Sequence, residues 1–374
     1  MNAYSGSAGR TRGARTRAAT AAVLFVALLG LTGEQAAGRS ATVPATSYAG
    51  GYGPVWSPDG TRIAYIGPAR NSNGSGSLDR VIVVNADGSG APHIVAVAPR
   101  SEALEEVRWA AGGRFVYQDS NYTLWSDTGT RGRAARRVGF VGPAGGVGEA
   151  FALSRDGRKV AFTAPCGCPA AQGTAVHFAT NLLATSGGLV RGVPRPKSTL
   201  DSDPSFSPDG KQLVFSRLDL GAGAPKWPRN QSIVVRPVRG GRVRSLHVNG
   251  DWPAFSPNGH WIAFFARAGL EVVRAAGGHA RTLLPFTYVN GSASFAWSPN
   301  SEQLVYARST KVGTVDLTGH NASFAIPGLR PDVNTPQWST DGKSVAFSAV
   351  KRGDDLDIRV YLIGADGSGL RRLA

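Results

Sequence analysis

From about residue 54 onward, apolar and polar positions alternate in short runs. Ile63 and Tyr65, Val160 and Phe162, Leu213 and Phe215, Leu304 and Tyr306, and Val345 and Phe347 point one way, with smaller or polar residues between them. A period of two over so short a run predicts strands. Each run follows a turn. In Trp56-Ser57-Pro58-Asp59-Gly60, Pro58 presets φ, Asp59 can bond its own backbone and Gly60 accepts the positive φ that closes a hairpin. The unit recurs as PVWSPDGTRIAYI from Pro54, VRWAAGGRFVYQ from Val107, FALSRDGRKVAFT from Phe151, PSFSPDGKQLVFS from Pro204, PAFSPNGHWIAFF from Pro253, FAWSPNSEQLVYA from Phe295 and PQWSTDGKSVAFS from Pro336.

After each hairpin come a variable loop, a third strand, a Gly-rich turn and a fourth strand. In the first copy these are Val81-Ile82-Val83-Val84, then Asn85 to Gly90, then His93-Ile94-Val95. Pro54 to Ala374 divides into units of about 46 residues, the length of a four-stranded blade. One blade cannot bury both faces, so the copies must stack into a continuous core. The fold class is all-β, a β-propeller of four-stranded antiparallel blades, with seven predicted. Six is the alternative, because the second copy has Ala110-Ala111-Gly112-Gly113 in place of Ser-Pro-Asp-Gly. Innermost strands are predicted to begin near Pro54, Val107, Phe151, Pro204, Pro253, Phe295 and Pro336. Trp56, Trp109, Trp297 and Trp338 read as packing between blades.

The motif P-x-[WF]-S-P-D-G-x-x-[IL]-x-[FY], best seen from Pro204 to Phe215, and the stretch Ile358 to Leu373 resemble the repeat of the TolB propeller family. The resemblance runs from about residue 50 to the end and implies a fold, since a strand-and-turn motif contains no chemistry. TolB itself resembles a six-bladed propeller behind an N-terminal α/β domain, working in a periplasmic complex with a lipoprotein. No such domain fits between the leader and Pro54, so the resemblance concerns the propeller part only. Similar blades accompany the α/β-hydrolase of the prolyl oligopeptidase family. No G-x-S-x-G nucleophile elbow occurs in this sequence, so serine-peptidase activity is not expected.

Residues 1–38 read as a signal peptide, 39–50 as a short linker and 51–374 as a single propeller domain. Arg10, Arg12, Arg15 and Arg17 precede the apolar run Ala21 to Leu29, which is short for a membrane span. Cleavage is expected between Ala36 and Ala41. An uncleaved anchor is the alternative; after signal removal no transmembrane segment is expected. The protein should therefore be secreted or extracytoplasmic, in a periplasm or cell envelope. The chain carries a formal charge of +16, and loss of residues 1–38 would remove four Arg and Glu34, leaving +13. Export and the absence of a basic run interleaved with aromatics argue against nucleic acid. A solvated basic exterior, or weak adhesion to an acidic envelope surface, accounts for the excess.

Cys166 and Cys168, in Pro165-Cys166-Gly167-Cys168-Pro169, suggest a local disulfide in an exported chain, with a metal or redox role or free thiols as alternatives. The positions entering the innermost strands bring carboxylates from successive copies: Glu106, Glu149, Asp203 and Asp251, with Trp252 beside the last. The repeat places them on one face around one mouth of the channel, as a ligand-binding site. The alternative is that these acids cap turns or pair with Arg217, Arg267 or Arg308. No catalytic residues, metal site or cofactor are expected, although a divalent cation is compatible with clustered acids. The favoured reading is an exported, non-enzymatic propeller, monomeric, that binds a protein or envelope polymer through its loop face and channel mouth. Its rivals are a small hydrolase or lyase acting on a sugar or polyanionic substrate through the acidic mouth, and a purely structural scaffold.

Overall fold

The computed structural model describes residues 52–70, 77–97, 103–120, 123–127, 135–140, 151–165, 178–186, 189–192, 199–219, 231–288, 293–308, 310–331, 336–353 and 358–373, all within the unit Gly38–Ala374. These residues form antiparallel sheets, each built from consecutive strands: six of four strands and one of five. The first sheet runs Tyr52–Trp56, Arg62–Arg70, Ser77–Asn85 and His93–Val97. The copy that lacks Ser-Pro-Asp also builds a four-stranded sheet, Leu104–Trp109, Phe115–Asp119, Thr123–Asp127 and Arg136–Phe140. Its turn is a 3₁₀ segment, Ala111–Gly113, closed by the Ala110 N–H donating to the Arg114 carbonyl at 2.8 Å.

The last sheet keeps four strand positions, with two short segments sharing the innermost one. There Leu329–Pro331 and Gln337–Trp338 both pair with Ser344–Lys351, which continues to Ile358–Gly364 and Arg371–Arg372. Pro331 and Pro336 bracket the break, and neither can donate to a ladder. Innermost strands also begin earlier than predicted, at Tyr52, Leu104, Thr199, Asp251 and Ala293, while the third begins at Phe151 as expected. The predicted leader and linker, Glu149, Cys166 and Cys168 lie outside the described residues. Among the described residues no helix is long and apolar enough to cross a membrane.

The Ser-Pro-Asp-Gly turn works as its chemistry predicts. In the first blade the Gly60 N–H donates to the Ser57 carbonyl at 2.9 Å, with φ 73° at Gly60. The Ser57 hydroxyl donates to Asp59 Oδ1 at 2.5 Å and accepts from the Arg62 N–H at 2.9 Å, while the Thr61 N–H reaches Asp59 Oδ1 at 3.0 Å. The same set recurs around Ser154, Ser207 and Ser339, and around Ser256 and Ser298 with Asn258 and Asn300 in place of the Asp. One serine and one carbonyl-type acceptor thus satisfy the backbone of a loop that the sheet itself leaves unpaired.

The core lies between sheets. Ala263, Phe265 and Leu270 of one blade pack with Trp297, Leu304 and Tyr306 of the next. Hydrogen bonds add direction to this packing. The indole N–H of Trp297 donates to the Ala254 carbonyl, and that of Trp338 to the Ala296 carbonyl, each one blade back. Trp56 makes the equivalent bond to the Gln337 carbonyl at 3.3 Å, which joins the first blade to the last. At the same junction the Gly53 N–H donates to the Ser348 hydroxyl, Arg371 donates to the Ala86 carbonyl, and Ile63, Tyr65, Ile82 and Val84 share a cluster with Ala346, Val360 and Leu362. Among the described residues the ring therefore closes by packing and hydrogen bonds, with no strand of one end entering the sheet of the other.

Candidate functional site at the entry of the inner strands

Four innermost strands slip register where they enter the ring, between Tyr52 and Val55, Leu104 and Glu106, Ser202 and Ser205, and Asp251 and Ala254. In all but the second of these one residue is left-handed: Gly53 (φ 63°), Asp203 (φ 51°) and Trp252 (φ 55°), each immediately before a proline. Gly53 adopts this conformation without penalty. Asp203 and Trp252 do not, and a non-glycine residue there is strained by roughly 1 to 3 kcal/mol. The bulge accounts for the early starts at Tyr52, Leu104, Thr199 and Asp251, because the extra residues lie upstream of the repeated motif, whereas the strand from Ala293 pairs in unbroken register.

The predicted acids do not share one environment. Asp251 is 3 % exposed, and its Oδ1 accepts from Gln231 Nε2 at 2.9 Å and from the Trp252 N–H at 3.1 Å. Asp203 is buried at the neighbouring bulge. Neither is the solvated rim carboxylate that entry loops suggest; the bulge folds both back against the sheet. Glu106, on the inner strand of the second blade, forms an ion pair with Arg108 two residues on. Asp201, fully buried, receives Arg217 through two bonds, Nε to Oδ1 at 2.7 Å and Nη2 to Oδ2 at 3.0 Å. Pairing with Arg217 thus holds for Asp201, across adjacent strands of one sheet.

Asp203 and Trp252 do come together. They line a cavity of about 60 Å³ with Pro204, Ser205, Ser294 and Phe295, where the fourth, fifth and sixth inner strands begin. Two polar atoms buried here, Trp252 Nε1 and Ser294 Oγ, have no hydrogen-bond partner among the described residues. Such groups cost about 1–3 kcal/mol when left unmet, and a space of this size holds a water or one polar group of a ligand. Trp252 also packs against the cluster containing Phe265 and Tyr288, whose rings stack at 4.4 Å. Ser294 stands at an entry position in the sequence, but nothing there distinguishes it from a solvent-exposed serine. Among the described residues no group of three or more metal-ligating side chains occurs.

The sheets and their cyclic closure define a β-propeller. No family model matches the chain, and no curated protein does. Solved structures do. A putative TolB from Agrobacterium tumefaciens is 18% identical, with 76% of this chain and 84% of that one covered and a TM-score of 0.41. A puromycin-hydrolysing peptidase from Mycobacterium tuberculosis is 16% identical, covering 90% of this chain and 56% of that one at a TM-score of 0.61. A prolyl endopeptidase structure is 12% identical, covering 88% and 50% at a TM-score of 0.58. The chain spans about half the length of the two peptidases.

Proposed function

We propose that the chain is an exported, non-enzymatic propeller that binds a protein or cell-envelope component through the mouth where its inner strands begin. One observation carries this reading: Asp203 and Trp252, both in left-handed backbone, flank a cavity whose buried Trp252 N–H and Ser294 hydroxyl lack partners among the described residues. Strain held beside unmet polar groups is what a binding site retains when stability alone would remove both. A partner that places a carbonyl or hydroxyl against Trp252 and Ser294 would relieve the second cost.

The test immobilises the chain from residue 39 onward and passes an envelope fraction from the source cells over it. Retention by the parent protein, with loss of about tenfold or more in Asp203→Asn combined with Trp252→Phe, is the expected result for a central contact. Asp203→Asn keeps shape; Trp252→Phe removes ring volume packed against Phe265 and Tyr288, so retention is compared well below the melting midpoint of each variant. Unchanged retention would sink the site. Release of sugar or phosphate products from the same fraction, abolished by Asp203→Asn, would instead favour the hydrolase or lyase reading.

A further inference from the structure

At the other end of the inner strands, on the turn side, lies a larger cavity of about 650 Å³. Its wall combines Trp56, Trp109, Pro58 and Pro208 with the guanidinium-bearing residues Arg108 and Arg155, and no acid is among the residues that line it. Arg155 is out of pattern. It occupies the turn position that holds Pro58, Pro208, Pro257 and Pro299 in other copies, where proline presets the turn. The third blade gives up that preset φ and gains an exposed cation at the cavity. The adjacent Asp156 is engaged in its own turn, where Oδ1 accepts from the Ser154 hydroxyl at 2.6 Å and the Arg158 N–H at 3.0 Å.

Trp109 is out of pattern as well. Trp56, Trp297 and Trp338 each donate an indole N–H to the preceding blade, but Trp109 Nε1 is buried with no hydrogen-bond partner among the described residues. The Arg62 guanidinium lies 5.2 Å from the centre of its ring, adding positive charge on that side. Arg108 is in an ion pair with Glu106 and Arg62 acts on Asp59, so among the lining residues Arg155 is the cation that faces a ligand.

We propose that this mouth binds a small organic oxyanion, a carboxylate or phosphate on a flat or apolar body. The oxyanion pairs with Arg155, the body rests against Trp56 and Trp109, and an acceptor on the ligand meets the Trp109 N–H. A volume of this size suits a small molecule, and mostly apolar walls with a few convergent polar groups are the usual composition of such sites. The inference is independent of the Asp203 mouth.

Calorimetric titration with phenyl phosphate, benzoate and phenol tests it. At least one anion should bind about tenfold tighter than phenol, the contribution of a charge-assisted contact, and the stronger of the two distinguishes phosphate from carboxylate. Arg155→Pro restores the residue other blades use, so it should fold as the parent does; Arg155→Gln serves if it does not. Either should bring the anion to the affinity of phenol. Arg158→Gln, on the same turn but off the cavity, should change binding by less than about twofold. Trp109→Phe should weaken the anion without lowering the melting midpoint. Anions no tighter than phenol, full binding by both Arg155 variants, or an equal loss in Arg158→Gln would each overturn the proposal.

Discussion

Six turns share one wiring but differ in one atom pair, and that difference makes acid a probe of single residues. Asp59 is held at about 2 by the Ser57 hydroxyl first, then by the Thr61 backbone and side chain. Asp156, Asp209 and Asp341 are lowered too, first by the hydroxyls of Ser154, Ser207 and Ser339. A carboxyl depressed in the folded state contributes stability above its unfolded value, near 3.8, and loses it as pH falls through the folded value. The melting midpoint should therefore drop between about pH 4 and about pH 2. Asn258 and Asn300 make the same bonds without titrating. Asp209→Asn should thus make the acid-induced drop shallower while changing neutral stability little; a drop of unaltered steepness would show that other carboxyls govern it. Glycine at the fourth turn position is tested in two blades. Gly210 (φ 65°) has open space where a Cβ would stand, so Gly210→Val should cost roughly 1 to 3 kcal/mol from backbone strain alone. A Cβ on Gly157 (φ 67°) would stand 2.5 Å from the Ala110 Cβ of the preceding blade, so Gly157→Val should melt lower still. Equal midpoints for the two would mean that the turns do not bear on each other.

At the scale of the strand, the hairpins were legible because Pro, Asp and Gly each have a conformational reason to stand where they do. The bulges were not. One copy carries Gly53 at the left-handed position, but two others carry Asp203 and Trp252, and a residue before proline ordinarily reads as extended. The entry acids were legible as a set and not as individuals, because their burial depends on partners from other strands. Asp251 meets Gln231, and nothing in the spacing of those two residues announces it. Asp251→Ala should leave Gln231 Nε2 and the Trp252 N–H unmet, costing about 1–3 kcal/mol in denaturant unfolding. A variant as stable as the parent would show that the bulge is held by packing instead. The Ala-Ala-Gly-Gly turn of the second copy misled in the other direction. Its flanks alternate as the others do, and they were enough to pair Trp109 with Phe115 and build the sheet.

At the scale of the whole molecule, the junction of first and last blades uses the same indole-to-carbonyl bond as the junctions at Trp297 and Trp338. Among the described residues each sheet is built from its own stretch of chain and none takes a strand from elsewhere. Assembly can accordingly follow the order of emergence, whether from a ribosome or from an export channel, with short loops to close at every stage. One surface is the exception. Ile63, Tyr65, Ile82 and Val84 finish buried against Ala346, Val360 and Leu362, nearly three hundred residues later. Until that last blade arrives the first one presents a sticky apolar flank to its surroundings, so the earliest-made part of the propeller is the part that must be shielded longest.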